Sequence, residues 1–409
     1  MLKTQIYQRR SSAAVTVLLI FFSLISFSLF FYLYGPRSEA HILESPHAPV
    51  DDNVVHLNRT TLGQKIDCVD RMITGQREGK SRSRKSNNTI SGNAEKLAYV
   101  TWLSATTLED GDEDLEHDNY FLATRILVWQ LLHVPRTRTK GIDVVVMVTP
   151  RVSKSRITRL RQDGAIVHTI DFLQSETHWE KGDSNRWNNV MSKLRVWQMT
   201  QYDRILMLDS DVMLLHPLDG VFDDPAAQIR PTVDEDEDRE FPETNNPTKF
   251  TPIEGIELPS TYLLASLSEI DNSNHDFPPT YTTGIKTPSY FNAGFFMLAP
   301  SEAVFEYYVA LLNTPNSFDP RYPEQNLLNT AHHWKGPMPW KELSYKWNIR
   351  EPNENDFKKG VVSVHEKWWD QPFIYDNQKV KDWLRSRRWV MQGWYTVYDA
   401  LLHNRAISC

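Results

Sequence analysis

Cysteine is nearly missing from this 409-residue chain. The two that are present, Cys68 and Cys409, are too few and too far apart to define a disulfide framework or a zinc site. They remain free to pair with each other or across two chains in an oxidising compartment. An excess of positive charge is missing as well, since the net charge is −7 and the isoelectric point lies near 6.0. Without a basic footprint nothing tracks a phosphate backbone, so nucleic acid is not an expected partner. What the chain does have is apolar and aromatic material, 40% and 11% of its residues. That is ample for a sizeable core in one large or two ordinary domains.

The first uncharged stretch, Ala13 to Tyr34 (AAVTVLLIFFSLISFSLFFYLY), is long enough to cross a bilayer. Roughly 20 residues at about 1.5 Å each span the ~30 Å hydrocarbon layer. It exceeds the apolar length usual for a cleaved signal peptide, and no small-residue cleavage site follows Gly35 and Pro36. Lys3, Arg9 and Arg10 precede it, so residues 1–12 are expected in the cytosol and everything after Tyr34 on the lumenal side, in a type II arrangement. Residues 35–94, poor in large apolar side chains and rich in Ser, Asn, Arg and Lys, read as a solvated stem. Its sequons at Asn58 and Asn87 fit a glycosylated stalk, and its basic run from Arg77 to Lys85 is a solvated linker charge.

Folded structure is expected over residues 95–409. Strands are predicted at Leu97–Leu103, Ile142–Thr149, Ala165–Ile170 and from Arg204 onward; helices at Tyr120–His133, Ser153–Gln162 and Val190–Gln201. Apolar strands alternating with helices predict an α/β layer fold around a mostly parallel sheet, with ligands beyond the carboxyl ends of the strands. The pattern breaks over about residues 228–290, which read as a long insertion with an acidic run (Asp234–Glu243) and a short helix in STYLLASLSEI. Strand composition returns at Phe291–Pro300 and Gly360–His365, helical composition in SEAVFEYYVALL, EQNLLNTAHH and from Asp376 to Asn404.

The run YDRILMLDSDVMLL places Asp209 and Asp211 one residue apart at the end of an apolar strand. Extended geometry brings both carboxylates to one side, where they can share a hard divalent cation, and an imidazole such as His365 suits Mn²⁺ in particular. A diphosphate leaving group is the kind of substrate that needs such an ion.

KLRVWQMTQYDRILMLDSDVMLL, FNAGFFMLAPS, PEQNLLNTAHH and VVSVH resemble, in order, the motifs of the glycogenin-like family 8 of retaining glycosyltransferases. The resemblance covers about Leu97 to Asp370, and is closest to fungal Golgi members described as N-acetylglucosaminyltransferases, which share the YFLATRILVWQLLHVPRTRTK opening. It implies a single GT-A, Rossmann-like domain, Mn²⁺, a UDP-sugar donor (UDP-GlcNAc first, then UDP-glucose or UDP-galactose) and a glycan or glycoprotein acceptor in the Golgi. By position, Asp209, Asp211 and His365 match the metal ligands. Tyr99, Val100, Thr101 and Leu103 match the uridine-binding edge; Lys193 a donor-contacting lysine; Ser210 falls with the nucleotide-binding set. Asn292, Ala293 and Gly294 match the turn that lines the sugar, and Gln325 the glutamine of an acidic–Gln pair. Three features depart from the family. Glu324 stands where Asp is usual, HEKWWDQPF replaces HxxGxxKPW so that only Lys367 is left for the diphosphate, and the insertion is long, expected to cover or extend the acceptor side. Two other readings accommodate the aspartates: a haloacid-dehalogenase-like phosphohydrolase with Asp209 as nucleophile, and a non-catalytic carbohydrate-binding module.

Overall fold

The computed structural model describes residues 95–104, 115–180, 189–233, 253, 255–369 and 377–403. The expected membrane span, the stem with its sequons, both cysteines and the acidic run lie outside them. No helix among the described residues is long and apolar enough to cross a membrane.

The N-terminal half follows the alternating pattern: β1 (Leu97–Leu103), α1 (Asn119–Leu132), β2 (Asp143–Val148), α2 (Lys154–Gln162), β3 (Ile166–Thr169), a 3₁₀ helix (Val190–Gln198), β4 (Arg204–Leu208) and β5 (Val212–Leu214). There follow β6 (Arg230–Pro231), β7 (Thr261–Tyr262), β8 (Leu264–Ser266), β9 (Ser268–Ile270), β10 (Ile285–Phe291), β11 (Phe295–Leu298), α3 (Glu302–Asn313) and α4 (Pro323–Ala331). The last elements are β12 (Lys341–Glu342), β13 (Asn348–Arg350), α5 (Glu354–Lys358), β14 (Ser363–His365) and α6 (Gln378–His403).

Seven strands form the main sheet in the order β12-β8-β11-β4-β1-β2-β3. The neighbours β4, β1, β2 and β3 run parallel, whereas β11 is antiparallel to both β4 and β8. The period of two divides β4 between two cores. Leu206 and Leu208 face one, with α1 and α6; Ile205 and Met207 face the other, with the 3₁₀ helix, α3 and α4. Helix α1 is buried nearly all round because the sheet covers one side and α6 the other. Arg159 joins Asp163 to Asp399 of α6, at 2.7 and 2.6 Å, and His133 stacks on Trp394 with centroids 4.6 Å apart.

Four expectations are corrected. STYLLASLSEI is not a helix: it supplies β7, β8 and β9, and β8 sits inside the main sheet between β11 and β12, where pairing on both sides outweighs helix propensity. The residues assigned to an insertion therefore include part of the framework. Val190–Gln198 winds as a 3₁₀ helix, long for that type and here carrying a buried lysine. Strand β3 is mostly exposed, because it is the sheet's edge and only one side of it is covered. Finally, β4 ends at Leu208, so Asp209 and Asp211 do not lie on a continuous strand.

Candidate active site

The chain turns at Asp209, with Val212 N–H donating to the Asp209 carbonyl at 3.2 Å, and the aspartates converge through that turn. Beyond it, β5 enters a second sheet, β13-β14-β5, in which His365 is the direct antiparallel partner of Val212. The ladder thus carries the imidazole to the turn. His365 Nε2 lies 3.1 Å from Asp211 Oδ1 and 3.9 Å from Asp209 Oδ2. One ligand atom from each of the three residues falls within 4.8 Å of the others. Two carboxylates and one imidazole with no thiolate are a donor set for Mn²⁺ or a similarly hard cation, and the spacing fits one ion.

Each aspartate also holds a lysine. Lys193, on the 3₁₀ helix and 1% exposed, donates to Asp209 Oδ1 at 2.7 Å, to the Ala293 carbonyl at 3.2 Å and to Glu324 Oε1 at 3.3 Å. Burial works against its charge, but Asp209 and Glu324 outweigh it and raise its pKa above the usual lysine range. Glu324, at the first turn of α4, moves the other way. Burial raises its carboxyl, and Asp209 adds to that against the pull of Lys193. Lys367 reaches Asp211 Oδ2 at 2.7 Å. Burial alone would raise the Asp211 carboxyl, yet Lys367 and His365 together hold it well below the ordinary carboxylate range. Three carboxylates thus meet two ammoniums and the His365 imidazole in one cluster.

The turn Asn292–Ala293–Gly294 between β10 and β11 closes the cluster from the side of the antiparallel strand. Gly294 accepts from Asp209 N–H at 2.8 Å through its carbonyl and packs so close that a Cβ would run into the His365 ring and come within 2.8 Å of Asp209 Oδ2. Only glycine fits there. Asn292 is fixed at both ends, its Oδ1 accepting from Gly294 N–H and its Nδ2 donating to Glu269, each at 2.9 Å. Gln325 Oε1 accepts from Ala293 N–H at 3.0 Å while its Nε2 donates to the Tyr290 hydroxyl at 2.9 Å.

The β1 residues are less uniform. Tyr99 and Leu103 lie in one core and Val100 in the other. The Tyr99 hydroxyl donates to Asp219 at 2.9 Å, and its pKa is raised by burial and then by that carboxylate. Thr101 is buried, with an Oγ1 that has no partner among the described residues. Ser210 is buried in the turn between the aspartates. The structure thus gathers Asp209, Asp211, His365, Lys193, Lys367, Asn292, Ala293, Gly294, Glu324 and Gln325, with Ser210, in one place. The side chains of Tyr99, Val100 and Leu103 belong to the core. Three participants escaped the sequence reading. Tyr290 adjoins the Asn292 turn and could have been found by that adjacency; Trp102, whose ring centroid lies 6.0 Å from Lys193 Nζ, sits on β1 between residues already singled out. Glu269, ion-paired to Arg350, carried no signal, since it lies in the stretch taken for an insertion.

Residues 117–367 match the family model for glycosyl transferase family 8. The chain is 29% identical over 333 residues to uncharacterized protein C4C3.09 of Schizosaccharomyces pombe, covering 76% of this chain and 80% of that one. It is 24% identical over 277 residues to galactinol synthase 1 of Solanum lycopersicum, covering 64% of this chain and 74% of the relative. Among solved structures, mouse xyloside xylosyltransferase 1 in its apo form aligns with 66% of this chain and 97% of its own, at 12% identity and a TM-score of 0.39.

Proposed function

Since the chain belongs to glycosyl transferase family 8, a glycosyltransferase of GT-A fold, we propose that it transfers a sugar from a UDP-sugar to a glycan or glycoprotein acceptor, with Mn²⁺ and with retention of anomeric configuration. Membership of the family leaves the phosphohydrolase and non-catalytic readings of the aspartates without support. The observation that carries the proposal is the cluster of Asp209, Asp211 and His365, whose ligand atoms lie within 4.8 Å of one another.

Those three residues would hold the ion, whose charge stabilises a diphosphate leaving group. Lys193 and Lys367 each satisfy an aspartate in this state and are the cations at hand for the diphosphate. Gly294 leaves room where a side chain would clash. Asn292 and Gln325, each held at two points, orient the sugar together with Ala293 and Glu324. Glu324, one methylene longer than Asp, accepts from Lys193 at 3.3 Å from its place on α4, and we assign it a part in sugar selection. Thr101, Ser210 and the backbone of β1 contribute to the nucleoside side. UDP-GlcNAc is the first donor to test and UDP-glucose or UDP-galactose the next. Retention calls for front-face attack within an ion pair or for a covalent intermediate on a carboxylate or amide. The apolar stretch at residues 13–34 and the basic residues before it support a membrane protein with its catalytic domain in the lumen, and the resemblance to fungal Golgi members adds the Golgi to that reading.

The test is UDP release by the detergent-solubilised full chain, offered the three UDP-sugars with and without Mn²⁺, beside Asp211→Asn. One donor should turn over, only with the metal and not in the variant. If UDP fails to bind in the presence of Mn²⁺, the nucleotide reading is wrong.

A further inference from the structure

We propose that the cavity between α6 and the segment after β14 is the subsite for an anionic saccharide, the acceptor in the reading above, on which this inference rests. The cavity, about 320 Å³, is lined by Asn119, Trp368, Trp369, Arg385, Arg388 and Trp389. Its size is that of a small-ligand site, and its composition is that of a sugar site with a charge preference. Indole faces cover the apolar faces of a pyranose, while guanidiniums form paired hydrogen bonds with carboxylate or phosphate.

None of the described lining residues is acidic. The Arg388 guanidinium lies 4.9 Å from the Trp389 ring centroid and 5.9 Å from that of Trp368, a cation held between two indoles. It is anchored through Nη2 to the Glu116 carbonyl at 2.8 Å, with the Glu116 carboxylate 4.0 Å away. Arg385 makes no hydrogen bond or ion pair among the described residues. Trp368 Nε1 and Arg388 Nε are buried donors with no acceptor among those residues. Among the described residues the wall is therefore rich in donors and cations and short of acceptors, although Asp118, the N-cap of α1 beside Asn119, already takes up the positive end of that helix. Trp389 is 66% exposed although it is among the largest apolar side chains, a price in hydration that a stacked sugar removes.

The cavity also sits beside the chemistry. Trp368 and Trp369 directly follow Lys367, which holds Asp211, and Trp369 packs edge-on against Tyr120 with centroids 5.2 Å apart. The segment that replaces HxxGxxKPW thus supplies the cavity's aromatic wall. A lipid surface is the other anionic partner for an Arg- and Trp-bearing helix, but a planar membrane does not call for donors gathered around a sugar-sized hollow.

The experiment is calorimetric titration of the full chain with glucuronic acid, mannose 6-phosphate and mannose, and with phosphatidylserine vesicles, with UDP plus Mn²⁺ titrated in parallel. At least one anionic sugar should bind about tenfold tighter than mannose, and Arg385→Gln should abolish that preference, as expected for a charge-assisted pair. Trp389→Ala should weaken all three sugars, and UDP binding should persist in both variants, which shows that they fold. Which of the two anions binds more tightly identifies the acidic group. Equal binding of mannose and both anions, or a preference that survives Arg385→Gln, overturns the proposal; so does vesicle binding lost in Arg385→Gln without any sugar binding. A chain that prefers anionic sugars through Arg385 but fails to bind UDP keeps the cavity assignment and removes the donor reading instead.

Discussion

The charges around Asp209 and those on the outer face of α6 obey opposite rules. In the first region every ammonium has a carboxylate: Lys193 holds Asp209 and Glu324, and Lys367 holds Asp211. In the second, among the described residues, Arg385 has no acid and Arg388 has the Glu116 carboxylate 4.0 Å away. The paired cluster is part of the folded state before any substrate arrives, and in the proposed reading its lysines exchange partners to serve a diphosphate. In the cavity Arg385 has no partner among the described residues to exchange, and Arg388 has Glu116. Substitutions in the first region should therefore damage folding and turnover together, whereas those in the second should change ligand affinity alone.

The strongest challenge to that contrast is Lys193→Met, which removes a 1% exposed cation and leaves Glu324 buried beside Asp209. Breaking a buried pair from one side costs roughly 3–5 kcal/mol, so urea unfolding should shift by about that much and transfer should vanish. An unchanged midpoint would mean that the lysine is not a structural partner. Gly294→Ala comes next. Its Cβ collides with the His365 ring, and with that imidazole in its proposed role as a metal ligand kcat/KM should fall by about 100-fold, some 2.7 kcal/mol, which initial-rate kinetics would measure.

Acid sharpens the contrast from a third position, a group kept neutral rather than paired. His332 accepts from the Tyr308 hydroxyl at 2.5 Å and donates to the Met338 carbonyl at 2.7 Å. Burial depresses its pKa to about 3. The unfolded chain takes up this proton below its ordinary value near 6.5 and the folded chain does not, so the stability it contributes is full above that value and is lost as the pH falls towards 3. For one such group the loss between pH 7 and 5 is about 2 kcal/mol. His333, held down to about 4 by burial, adds to the same slope. Thermal unfolding from pH 7 to 5 should show it, and His332→Gln should flatten it. The smallest effect is expected for Arg385→Gln, which touches no partner among the described residues and should leave the unfolding midpoint within about 0.5 kcal/mol of wild type.

Legibility in the sequence followed burial. β1 (Leu97–Leu103) is a run of apolar and aromatic residues that no helix face explains, and its bounds agree with the prediction; α1 and β2 are displaced by about one residue at their ends. STYLLASLSEI was misread because its leucines satisfy a helical period as well as a strand. What decided was the vacancy between β11 and β12, which is a property of the whole sheet. The aspartates, His365 and the Asn292 turn were legible because their spacing resembles a family pattern. Glu269, Tyr290 and the tie between Lys193 and Glu324 join residues far apart in sequence, 131 positions in the last case, and no local pattern records such a meeting.

The antiparallel pairing of His365 with Val212 has a consequence for biosynthesis. The imidazole and the aspartate beside Val212 come together only when β14 is in register with β5, and a slip of one residue would turn the ring to the other side. A ribosome will have added some 150 residues after Asp211 before that pairing can begin, so over a third of the 409-residue chain is made with the aspartates already synthesised and the imidazole still to come. The two aspartates and the imidazole therefore meet late, together with the sheet that sets the register.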